Sequence, residues 1–202
     1  MRKSIRTLAL LSVLSGMSYT AQAVEVRGLF NMGYDLGGDK LVTVIYTSGN
    51  SESVDANKGM YFGGGISLVY DQAGTKETQF TLNYHFDETN PYADGGVKYS
   101  ATTFDAVQVF NVNQASFGVG LTYHMSPKVT GTGVVSGNVQ FDDAVGMIFQ
   151  MGYRLSDRST IGMRYTNIKY KFAGSPDADG SGLGFFFNFG FGGGPARKGD
   201  AW

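Results

Sequence analysis

The chain has no cysteine among its 202 residues. Disulfides are therefore excluded, and an exported version must rely on packing, on a closed sheet or on lipid. Proline is scarce, at 4 residues, and only two histidines are present. Little proline argues against a disordered linker. Two histidines without a tight spacing such as H-E-x-x-H offer little to a metal. Beyond the first two dozen residues no apolar run is long enough for a transmembrane helix. The net charge of −1 leaves no basic footprint for nucleic acid.

What the chain does have is glycine, 30 residues, and aromatics, 14%. Its start also has a distinct grammar. Arg2, Lys3 and Arg6 precede the apolar run Thr7 to Leu14, and Ala21-Gln22-Ala23 supplies an A-x-A site. That order is a secretory signal peptide over 1–23, with an apolar run too short to span a bilayer. The expected mature chain begins at Val24, is one domain over 24–191, and ends in a flexible tail over 192–202.

Period-2 alternation then recurs along the chain, the signature of strands. Thr78, Phe80, Leu82, Tyr84 and Phe86 oppose Glu77, Gln79, Thr81, Asn83 and His85. Leu183, Phe185, Phe187, Phe189 and Phe191 oppose Gly184, Phe186, Asn188 and Gly190. Eight strands are expected, at 25–36, 60–71, 77–86, 101–110, 115–125, 143–155, 159–168 and 182–191. The fourth carries the weakest signal because its two faces are nearly equally apolar, and the seventh ends at 168 or continues through Phe172. Connections alternate between short (71–77, 111–114, 156–158) and long (87–100, 126–142, 173–181). Short turns at one end and long polar loops at the other are what outer-membrane barrels show. The 37–58 connection holds a hairpin of its own, Leu41 to Tyr46 against Ser51 to Asp55. The alternative makes 41–47 the first barrel strand.

Alternation alone does not tell a barrel with lipid outside from a soluble barrel with an apolar interior. Glycine decides. The polar face carries Gly63, Gly65, Gly118, Gly120, Gly146, Gly152, Gly162 and Gly184. Glycine weakens a strand unless close packing needs it, and the lumen of an eight-stranded barrel is narrow and filled by side chains. Glycines there make room for neighbours such as Tyr61 and Phe186. The apolar face carries Tyr34, Tyr70, Tyr84, Phe86, Tyr123 and Tyr153 toward strand ends, as interfacial aromatic girdles do. The expected fold is an all-β, eight-stranded antiparallel transmembrane barrel with both termini in the periplasm.

On these residues the chain resembles the small bacterial outer-membrane barrel superfamily represented by OmpA, OmpX and OmpW. The sharpest local likeness is Gly184-Phe185-Phe186-Phe187-Asn188-Phe189, which is similar to the terminal signal read by the barrel-assembly machinery. It departs from that pattern in continuing past the aromatic, through GFGGGPARKGDAW. The stretches Gly37-Gly38-Asp39-Lys40-Leu41 and Arg164-Tyr165-Thr166 resemble uncharacterised proteobacterial barrels, which imply no activity. The resemblance implies outer-membrane lipid and lipopolysaccharide as surroundings and the assembly machinery as a partner in biogenesis. The polar outer loops, with Tyr92 and Tyr99, are a candidate surface for an extracellular partner.

Few residues carry chemistry. By parity Arg27, Asp71, Glu77, Arg154 and Arg164 point inward, as ion pairs that close the lumen or as the gate of a narrow channel. His85 and His124 form a candidate polar rim with Asp87, Asp142 and Asp143 nearby. His124-Met125-Ser126 superficially resembles the His-x-Ser piece of lipid A deacylases, but both residues share lumen-facing parity and Pro127 stands where that family has Asn. The runs Gly63–Gly65 and Gly192–Gly194 lack the Lys-Ser or Lys-Thr of a phosphate loop. No catalytic, cofactor or metal residue is expected. A non-enzymatic envelope protein, structural or interacting through its loops, leads; a narrow passive channel for small solutes or ions comes second, and a lipid A-modifying enzyme last.

Overall fold

The computed structural model describes residues 24–45, 51–71, 73–89, 95–133, 137–171 and 177–193. The expected signal peptide, most of the tail and the outer-loop residue Tyr92 lie outside them. Among the described residues thirteen strands follow one another: β1 (Glu25–Leu36), β2 (Lys40–Ile45), β3 (Ser51–Asp55), β4 (Lys58–Val69), β5 (Lys76–Glu88), β6 (Val97–Val112), β7 (Ala115–Gly131), β8 (Gly137–Gln140), β9 (Ala144–Arg154), β10 (Ser159–Asn167), β11 (Lys169–Tyr170), β12 (Ala178–Asp179) and β13 (Gly182–Phe191).

Eight of these close into one antiparallel barrel in the order β6-β5-β4-β1-β13-β10-β9-β7, with β7 pairing back to β6. Strand β1 joins the two ends of the chain: it pairs with β4 on one side and with β13 on the other, Gly28 opposite Phe191 and Asp35 opposite Gly184. Closure leaves no barrel edge unpaired, which a bilayer without water demands of any sheet that crosses it.

The barrel is polar inside and apolar outside. Phe30, Phe62, Leu82, Phe104, Phe117, Phe149, Met163 and Phe185 all face outward and are exposed. Asn31, Thr81, Asn83, Asp105, Thr122, Gln150 and Asn188 are buried in the lumen. Water would reject that arrangement, whereas lipid selects it. Tyr34, Tyr84, Tyr123, Tyr153 and Tyr165 are exposed on the same outer face. The glycines do make room. A Cβ on Gly33 would strike the Tyr61 ring, and one on Gly162 would come 2.8 Å from the ring of Phe186.

The short turns gather at the end that holds the start of β1, and the long connections at the other. The β6–β7 turn is two residues, with Asn113 at φ 53° in the left-handed region that asparagine tolerates. The long connections are folded: β2 pairs with β3, β11 with β12, and β8 extends the sheet beside β7. The two strands of the hairpin expected within 37–58 therefore pair, and residues 41–45 of the alternative strand stand outside the barrel sheet.

Several boundaries move. The 60–71 strand sits two residues earlier, so Asp71 belongs to a turn. The seventh strand stops at Asn167, and 169–170 pair with β12 instead. The 101–110 and 115–125 strands run well past the expected rim, with 97–100 paired to 128–131. Between these two stretches lies a bulge: Thr102 opposes Met125, but Ser100 opposes Lys128. Ser126 takes the left-handed conformation there, φ 47°, which reverses face alternation beyond it.

Candidate functional site

The lumen side chains are layered from the short-turn end outward. At the bottom, Arg27 pairs with Glu25 at 2.8 Å and donates to the Asp157 carbonyl at 2.9 Å. Glu77 accepts from the Ser67 hydroxyl at 2.7 Å and from the Gln79 amide at 3.1 Å. Arg154 donates to the Asn113 carbonyl at 3.2 Å. Together they line a polar cavity of about 30 Å³. Above it, the Asn188 amide donates across the lumen to Gln79 at 3.1 Å, and Val107, Val109 and Ile148 pack as a small apolar cluster.

Asp71 is not in the lumen. Its carboxylate folds over its own turn, accepting from the Thr75 N–H (2.9 Å), the Thr75 hydroxyl (2.8 Å) and the Lys76 N–H (3.0 Å). Burial alone would raise its pKa; these donors outweigh it and hold the group below the ordinary carboxylate range. Parity failed at Asp71 because the strand ends at Val69.

The outer half of the lumen is organised around a residue the sequence reading missed. Asp105 pairs with the buried Arg164 at 3.0 Å, accepts from the Thr122 hydroxyl at 2.6 Å and from the Asn83 amide at 3.2 Å. The Arg164 guanidinium lies 5.2 Å from the centre of the Tyr61 ring. Asp105 escaped notice because its strand has nearly equal faces. Its parity becomes clear only from its register opposite Thr81 and Thr122. The five expected lumen charges thus do not form one network: Arg27 and Arg164 each pair with an acid outside the set.

His85 and His124 are not a rim but buried groups, 2% and 3% exposed. His85 Nδ1 is 4.0 Å from the Asp35 carboxylate. His124 Nδ1 is 2.8 Å from the Tyr170 hydroxyl, which is 3.1 Å from the Tyr99 hydroxyl. Asp35, Tyr61, His85, Asp105, His124 and Arg164 border a cavity of about 10 Å³, room for about one water. Among the described residues no group of three or more His, Cys, Asp or Glu is placed to hold a metal ion.

These two residues are covered by a second, apolar core. Val54 and Ala56 from the β3 end, Val97, Tyr99 and Ala101 from β6, Val129 from β7, Phe141 and Ala144, and Ile168 and Tyr170 pack together at the outer end. The prolonged β6 and β7 and the outer hairpins therefore form a plug. Local alternation in 37–58 signals a hairpin but not its convergence over the barrel mouth, and 126–142 reads from sequence only as a long polar connection, although β7 runs on to Gly131 and β8 follows.

The bulge also separates His124 from Ser126. His124 is buried, whereas Ser126 is exposed and its N–H donates to Asp143 at 2.8 Å. The Tyr123 hydroxyl donates to the other Asp143 oxygen at 2.6 Å. These donors, Tyr123 first, hold the exposed Asp143 below its ordinary range. The expectation that Ser126 shares the lumen face is thus corrected, and the two residues of the His-x-Ser piece lie on opposite sides of the wall.

No family model and no curated protein sequence matches the chain. Solved structures do resemble it in fold. Ail, the attachment invasion locus protein of Yersinia pestis, aligns at TM-score 0.50 and 12% identity over 84% of this chain and 100% of that one. Ail in complex with the heparin analogue sucrose octasulfate aligns at 0.51 and 8% identity over the same shares. Neisserial surface protein A aligns at 0.47 and 11% identity over 83% and 99%. At such identities the likeness concerns the fold, that of a small outer-membrane barrel.

Proposed function

We propose that this chain is a non-enzymatic protein of the bacterial outer membrane that presents a folded outer surface, as a structural element or as a platform for an extracellular partner. The apolar plug carries this reading. A barrel serving as a passage would keep polar, open chain at its mouth; here residues from five separated stretches are buried over it. Below the plug, the Gln79–Asn188 bridge and the Asp105–Arg164 pair occupy the lumen. Lipid and lipopolysaccharide are the surroundings suited to the apolar belt, and the outer hairpins are the surface left for a partner. The separation of His124 from Ser126 supports the absence of acyl-transfer chemistry, which needs base and nucleophile within hydrogen-bond reach.

The test is electrical. Purified full-length protein in a planar bilayer near neutral pH should give no channel steps. Regular steps would replace this reading with the narrow passive channel. In parallel, lipid A from expressing cells should keep its mass; loss of an acyl chain would establish an enzyme.

A further inference from the structure

The plug and the lumen are joined by one hydrogen-bonded chain. Tyr99 and Tyr170 belong to the apolar plug and are both fully buried. Their hydroxyls meet at 3.1 Å, and that of Tyr170 reaches down 2.8 Å to His124 Nδ1. His85 stands beside the same chain, its ring edge-on to Tyr99 with centroids 5.7 Å apart. We propose that His124 and His85 are proton-binding groups whose occupancy sets whether the outer plug stays seated. The proposal rests on the sealed outer end described above.

With Nδ1 of His124 unprotonated, the direction of the chain is fixed. Tyr99 donates to Tyr170, and Tyr170 donates to His124. A proton on Nδ1 turns the ring into a donor. Tyr170 must then accept from the ring, and of the Tyr99 and Tyr170 hydroxyl hydrogens only one can find the other's oxygen. One donor is left unmet in an apolar core, which is costly. The new charge also enters a closed compartment that already holds Arg164.

The surrounding groups define the balance. Asp35 faces His85 from β1, Tyr61 stands on β4, Asp105 on β6, and Arg164 on β10. Asp105 is committed to Arg164, Thr122 and Asn83. Asp35 is placed to balance a proton on His85, not on His124. Protonation of the pair therefore leaves one positive charge more than the carboxylates can offset. Asn57 is buried and borders this compartment, and it follows 54–56 of the plug in the chain. Expulsion of the plug admits water to the charge.

The chain has no cysteine of its own, so a single introduced thiol reports one position. Val54→Cys places a thiol in the plug, where Val54 is 0% exposed, and Ile45→Cys places one on the same hairpin at a position 76% exposed. The probe is dipyridyl disulfide, which reacts with thiols in both neutral and acid solution. The readout is the rate at V54C divided by that at I45C, in full-length protein, from about pH 7.5 to about pH 4.5, across the imidazole range. The ratio should be low at the upper pH and rise about tenfold or more at the lower, as expected for a local opening. Adding His85→Gln and His124→Gln should hold it within about twofold. If the double variant does not fold, His124→Gln alone and His85→Gln alone should each cut the rise by at least half. A low ratio at both pH values, or an unchanged rise in the variants, overturns the proposal and leaves the sealed platform standing. A high ratio already at neutral pH overturns the platform itself.

Discussion

Asp105 is the residue on which most of the outer lumen depends. It is the buried partner of a buried guanidinium, and removing one member of such a pair leaves an uncompensated charge, which costs about 3–5 kcal/mol. Asp105→Ala should therefore lower unfolding stability in detergent by about 3 kcal/mol, read by urea titration. Glu25→Ala, which removes the partner of Arg27 near the barrel end, should cost clearly less, because Glu25 is only half-buried and water can replace it. A shift equal to that of Asp105→Ala would mean that depth in the lumen does not set the energy. Asp71 makes a separate prediction, about pH. Its native pKa is depressed, so its contribution is fully present above the unfolded value of about 4 and is lost as pH falls through the native value. Acid unfolding of Asp71→Asn should lack this component, and the parent and variant curves should converge below that range.

At the scale of elements, the glycines and the bulge show what the strands were built around. Gly162 on β10 sits beneath the ring of Phe186 on β13. Gly162→Val should overpack the lumen at a cost of about 1–3 kcal/mol and lower the yield of refolded barrel on gels. An undiminished yield would mean that the ring has somewhere else to go. The alternation that marks β1 and β13 is so regular that both bounds are legible to the residue. Asp105 was not legible because Thr103, Val107 and Val109 on its face are no more polar than the face opposite. His85 and His124 were placed on the correct side, but their burial depends on Tyr99 and Tyr170, which approach from strands far apart in sequence. The parity of Ser126 failed for a local reason, one residue with positive φ. Face assignment from sequence holds only as far as the next bulge.

The whole molecule is a closed sheet with two interiors, one polar and one apolar, stacked along its axis. Such a barrel should resist dodecyl sulfate until heated. Protein from purified outer membranes should run faster unboiled than boiled; a single band at one mobility, from a soluble fraction, would mean that the sheet faces water. The stacking also carries a consequence in time. The residues of the plug span positions 54 to 170, and the strands beneath them close only when β13 at the end of the chain meets β1 at its beginning. None of the local hairpins can complete that seal alone. The outward-facing cap thus cannot be finished before the chain as far as Tyr170 is in place. An antibody selected against the finished cap would see mature molecules and pass over those still in assembly.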